Sequence, residues 1–189
     1  MISRLQSLAK ICVLKLRYGK RLIISYDSMI KRDINVNIQG KTSTIKVAKM
    51  NCYSNVILAA VNGGRLVIGN EVFFNRNCML MCRKGIYIED GCIFGPNVVI
   101  YDHDHSFSED GVCKNEYKEK EVVIGKNCWL GANVTILCGT EIGEGAIIGA
   151  GCVVKGNIPK YSVVVSSTKN NVISIKEWVK RSFHSYIAS

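Results

Sequence analysis

Residues 97–107 read NVVIYDHDHSF, and within them Asp102, His103, Asp104 and His105 alternate two carboxylates with two imidazoles. The whole chain holds three histidines, and two of them stand here, two positions apart. On an extended backbone the side chains at 103 and 105 share a face. Such a pair could ligate a metal, move a proton or simply line a polar turn. A catalytic zinc takes three protein ligands, and the third histidine, His184, lies far along the chain, so no metal is expected. Nucleophilic catalysis lacks its marker, a GxSxG elbow. Proton transfer suits these residues best, because the unperturbed imidazole pKa is about 6.5. A nearby carboxylate, Asp102 or Asp104, could fix the tautomer and stabilise the imidazolium.

The elements that must hold this stretch are written in a repeat. From Ile124 onward an aliphatic residue recurs every sixth position: Ile124, Leu130, Ile136, Ile142, Ile148, Val154. Glycine follows at 125, 131, 143 and 149, where it is expected to supply corner dihedrals. Four residues after each aliphatic comes a small or β-branched residue: Cys128, Val134, Thr140, Ala146, Cys152, Ile158. The same phase appears upstream at Ile68, Phe74, Ile88, Phe94 and Ile100. It slips by two residues around Arg83-Lys84-Gly85, which predicts a bulged corner. A period of six fits neither a helix nor plain strand alternation. It fits short strands joined by tight corners, stacked coil on coil as a parallel β-helix.

Composition sets the outer limits. A chain of 189 residues with 48% hydrophobic content suits one folded domain. No apolar run approaches the ~18 residues of a membrane span, and no signal peptide is evident, so a cytoplasmic location is expected. Nine cysteines without any CxxC pair read as reduced thiols. Those at 78, 92, 128 and 152 fall on the small inward position and act as apolar filler. The net charge of +10 suits an anionic partner. The basic residues are not interleaved with aromatics as on a nucleic-acid stacking platform, so no nucleic acid is expected.

The units VIGKNC, WLGANV and AIIGAGCVV resemble those of the hexapeptide-repeat acyltransferases. The resemblance runs from about Val67 to Ile173 and implies an all-β fold: a left-handed parallel β-helix with short N- and C-terminal helices and one inserted loop. Within that family the galactoside and maltose acetyltransferases place a catalytic histidine eight residues after an Asn-Val strand motif. Asn97 plus eight is His105. The resemblance therefore implies His105 as general base, removing a proton from a sugar hydroxyl as it attacks the thioester of acetyl-CoA. His103, Asp102 and Asp104 would support it or face the acceptor. Asn75 matches an acceptor-contacting asparagine and Glu116 a loop glutamate near the acceptor. Trp129 matches a tryptophan beside the thioester cleft, and Ala132 and Ala150 match positions whose backbone lines the coenzyme arm. Lys155 could meet a coenzyme phosphate.

One departure stands at the end of the repeat. Ser166, Thr168 and Asn170 replace the family's usual Gly, Pro and basic residue, which leaves Lys160 and Lys169 as candidates for the adenine end. The implied function is an acetyl-CoA-dependent O-acetyltransferase acting on a surface polysaccharide or its precursor. Its partners would be acetyl-CoA, a saccharide acceptor and two further copies in a homotrimer. N-acetylation of an amino-sugar nucleotide and a non-catalytic scaffold are the rivals.

Residues 1–34 form the lead-in, 35–165 the β-helix, 101–121 the inserted polar loop, and 166–189 a C-terminal extension with a helix. In the first segment Ile2, Leu5, Leu8, Ile11 and Cys12 have helical spacing, with Lys and Arg opposite. That helix either caps the open end of the solenoid or touches an anionic membrane.

Overall fold

The computed structural model describes residues 4–31, 33–109 and 111–166. They form a three-sided parallel β-solenoid of about six turns, consistent with a left-handed β-helix, preceded by one short helix. The expected C-terminal helix and Lys169 lie outside the described residues.

Each side of the prism is one parallel sheet. The first stacks the strands Leu22–Ile24, Thr44–Val47, Arg65–Ile68, Gly85–Ile88, Val122–Ile124, Glu141–Ile142 and Asn157–Ile158. The second runs from Met50–Cys52 through Val72–Phe74, Ile93–Phe94, Trp129–Leu130 and Ile147–Ile148 to Val163–Val164. The third runs from Asn35–Ile38 through Ile57–Ala60, Met79–Cys82, Val99–Tyr101 and Thr135–Ile136 to Val153–Val154.

Register puts like residue on like. Leu80, Ile100, Ile136 and Val154 form one inward column, and Phe74, Phe94, Leu130 and Ile148 another. The Phe74 and Phe94 rings stack with centroids 4.6 Å apart, a contact that adds about 0.5–1.5 kcal/mol beyond burial. The small inward positions are filled as expected. Cys78, Cys92, Cys128 and Cys152 are buried, and the first three thiols donate to carbonyls of Gly95, Gly125 and Gly143 in the next coil.

Two readings of the repeat need correction. Gly125 and Gly131 do not supply left-handed dihedrals. A Cβ on either would lie 2.7 Å from the backbone nitrogen of Glu144 or Ala150 in the next coil, so their role is close approach. Left-handed dihedrals fall elsewhere: one edge carries an asparagine column, Asn55, Asn77, Asn97 and Asn133, with φ between 58° and 60°, and another carries Glu71, Gly91, Asn127 and Gly145. The amides of the asparagine column bond in series at 2.9–3.0 Å. Ile158 belongs to the long aliphatic column, opposite Ile142, because the last coil is shorter than its predecessors. The inserted segment is a β-hairpin, described below.

The N-terminal helix, Arg4–Tyr18, does cap the solenoid, but by another face than the spacing suggested. Its buried residues are Ser7, Ile11, Leu14 and Tyr18, while Leu5 and Cys12 are exposed. The Ser7 hydroxyl donates to Ser28 O and accepts from the Ile30 amide, and the Tyr18 hydroxyl donates to Val36 O at 2.6 Å.

Candidate active site

After the strand Val99–Tyr101 the chain reaches a prism edge, leaves the solenoid, and returns at Val122. The excursion is an antiparallel hairpin of His103–Ser108 and Gly111–Glu119. At its root His103 opposes Glu119, and His105 opposes Tyr117. Between His105 and Ser106 the register breaks, and pairing resumes at Cys113. Residues 114–116 therefore bulge from the longer strand, and Glu116 sits there, exposed and next to Tyr117.

Asp102 occupies the edge itself and is wholly buried. Its carboxylate accepts from the backbone amides of Arg83, Lys84 and Gly85 at 2.8–3.0 Å. That is the bulged corner where the six-residue phase slips. It also lies 3.0 Å from His103 Nδ1. Burial alone would raise the Asp102 pKa, but the hydrogen bonds from His103 and the backbone amides of Arg83 and Lys84 outweigh it and hold it below the usual carboxylate value. An ionised carboxylate only accepts, so His103 donates through Nδ1, which leaves Nε2 as its other ring nitrogen.

His105 differs. It is exposed, and its ring packs on Tyr117 with centroids 4.6 Å apart. Tyr117 also meets the edge of His103, at 5.7 Å. Behind it, the Arg83 guanidinium lies 3.7 Å from the Tyr117 centroid and bonds Glu119 through Nε at 2.9 Å. Arg83, Tyr117 and Glu119 thus brace both imidazoles, and no local motif marks them. The one trace in the sequence is the phase slip at Arg83.

The other candidates divide among the three prism edges. Asp104 and Lys155 share the histidines' edge, with Lys155 Nζ 3.7 Å from Asp104 Oδ2. Asn75, Ala132 and Ala150 lie on the edge between the second and third sheets. There the Gly151 amide donates to Ala132 O, and the Asn133 amide donates to Pro96 O. Trp129 faces outward from the second sheet, half-exposed between Ile93 and Ile147. Lys160 is on the remaining edge, 3.9 Å from Glu144. The chain therefore sets the imidazoles and the small-residue corner on different prism edges, with one prism side between them.

Residues 121–156 match the family model for bacterial transferase hexapeptide (six repeats), and residues 65–102 match that for the hexapeptide repeat of succinyl-transferase. The Lactococcus lactis "Galactoside O-acetyltransferase" is 36% identical over 58% of this chain, and the match spans about half, 53%, of that relative's length. The Escherichia coli K12 protein named "Putative lipopolysaccharide biosynthesis O-acetyl transferase WbbJ" is 30% identical over 78% of this chain and 76% of its own. A hexapeptide-repeat acetyltransferase of Vibrio cholerae, solved with acetyl coenzyme A, superposes with a TM-score of 0.56 and 20% identity. That match covers 88% of this chain and 84% of the other, and it shows a common fold.

Proposed function

The chain belongs to the hexapeptide-repeat acetyltransferases, and from that premise we propose that it transfers an acetyl group from acetyl-CoA to a hydroxyl of a surface polysaccharide or its precursor. The observation that carries this reading is the exposed His105 ring, fixed on Tyr117 at the root of a hairpin that leaves the solenoid edge. His105 would take the proton of the acceptor hydroxyl as its oxygen attacks the thioester carbonyl. The new C–O bond forms, the C–S bond breaks, and the proton passes to the departing thiolate. Base catalysis of this kind contributes about 10²–10⁴-fold.

Asn75, Ala132 and Ala150 would serve the same reaction from a neighbouring copy. One prism side separates them from the histidines within a protomer, so a cleft holding both sets needs a second chain, as in a homotrimer. Small side chains at 132 and 150 leave backbone open to a pantetheine arm, and half-exposed Trp129 offers it an aromatic wall. Lys155 would stand nearer the acceptor than the coenzyme, given its contact with Asp104.

A second assignment of the base has one observation behind it. The Asp102–His103 pair, 3.0 Å apart, is already oriented as a base and its carboxylate, whereas among the described residues no such carboxylate contact is seen for His105. Two experiments test the function. Calorimetry with acetyl-CoA should show binding, and coenzyme A release should rise when galactosides and other saccharides are added. A protein that binds no acetyl-CoA is a scaffold.

A further inference from the structure

The N-terminal helix carries two apolar faces, and the solenoid covers one of them. Ser7, Ile11, Leu14 and Tyr18 are buried. On the other side Leu5, Val13 and Leu16 are 76%, 60% and 86% exposed, with Ala9 and Cys12 exposed among them. At about 100° per residue these five fall within an arc of about 100°, centred opposite the docked face. Scattered exposed leucines need no explanation, but a continuous stripe on one helix does.

The charges around the stripe say what covers it. Arg4 and Lys15 flank one side, and Lys10 and Arg17 the other. Lys20 follows, while Arg21 donates to Gly40 O of the solenoid, and no acidic residue occurs from 4 to 21. Lys15 Nζ sits 3.6 Å over the Tyr26 ring, along the rim, and Asp27 beside the helix is paired with Arg4. A second copy of the stripe would bring like charges together. A negatively charged lipid surface would attract them, and the long Lys and Arg stems would reach its headgroups while the leucines enter the acyl boundary.

We propose that the outer face of this helix lies on an anionic bilayer, parallel to the surface. Among the described residues no helix is long and apolar enough to cross a membrane, so contact is from one side. The inference stands on the helix alone, whatever reaction the solenoid performs.

Sedimentation of the full chain with phosphatidylglycerol/phosphatidylcholine vesicles, against pure phosphatidylcholine vesicles, tests it. The protein should pellet with the anionic vesicles and be released by salt. The double variant L5Q/L16Q should bind at least ~tenfold more weakly, and K10Q/R17Q should lose the preference for phosphatidylglycerol. Circular dichroism and oligomeric size should stay unchanged in both, because Leu5, Leu16 and Arg17 are exposed and Lys10 is only partly covered. The proposal is overturned if the unmodified protein ignores phosphatidylglycerol vesicles, or if L5Q/L16Q binds them equally well. It is also overturned if L5Q/L16Q alters oligomeric size while leaving vesicle binding intact, since the stripe is then an interface between copies.

Discussion

Asp102 Oδ1 and His103 Nδ1 lie 3.0 Å apart, and the same carboxylate caps three backbone amides of the preceding coil. One buried side chain therefore both closes a corner of the solenoid and sets the tautomer of an imidazole. Asp102→Asn puts an amide donor among donors, so it should lower stability by about 2–4 kcal/mol in urea unfolding. The pH dependence has a definite sign. A folded pKa held below the unfolded value of about 3.9 stabilises the native state above that pH, and the contribution is lost as pH falls through the folded value. The stability difference between wild type and Asp102→Asn should shrink below about pH 4 and stay constant above it.

The asparagine column makes a separate prediction. Asn97 sits at φ 59° and bonds both Asn77 and Asn133 through its amide. Asn97→Ala should cost about 1–2 kcal/mol, because alanine resists the left-handed region and loses both bonds. Asn97→Gly loses the same two bonds but not the left-handed cost, so it should be the less destabilising of the two. Thermal unfolding of the two variants checks the order.

Thiol accessibility reports whether the coils stay closed. Cys12 is exposed and Cys113 half-buried, while the other seven cysteines are buried. Burial pushes the Cys52 and Cys78 thiols up to about 11, so neither presents a thiolate at neutral pH. Alkylation of the native protein followed by mass spectrometry should mark Cys12 and Cys113 quickly. The remaining thiols should react only after denaturant is added.

How far the sequence reached depended on what kind of contact each residue makes. The prism was legible because each aliphatic stacks on its own equivalents, so periodicity and packing are one fact. The hairpin was not, since a two-stranded arm solvated on both sides has no alternation to read. The position of Ile158 was misjudged because two residues drop out of the last coil, and the columns follow the coil and not the count. In the candidate site, Asp102 was visible as a neighbour of the histidines, but its hold on residues 83–85 spans a whole coil. Arg83, Tyr117 and Glu119 meet only in three dimensions. The helix misled for another reason: both its faces are apolar, and spacing cannot say which one docks.

The identity of the base is tested most directly by acetyl transfer from acetyl-CoA to a saccharide acceptor in His105→Ala and His103→Ala, with coenzyme binding and oligomeric size measured alongside. With His105 as base, His105→Ala should lose about 10²–10⁴-fold in kcat at unchanged coenzyme affinity, and His103→Ala should lose about tenfold. A His105→Ala enzyme near full rate, beside an inactive but folded His103→Ala, would contradict the assignment and give the role to the Asp102–His103 pair.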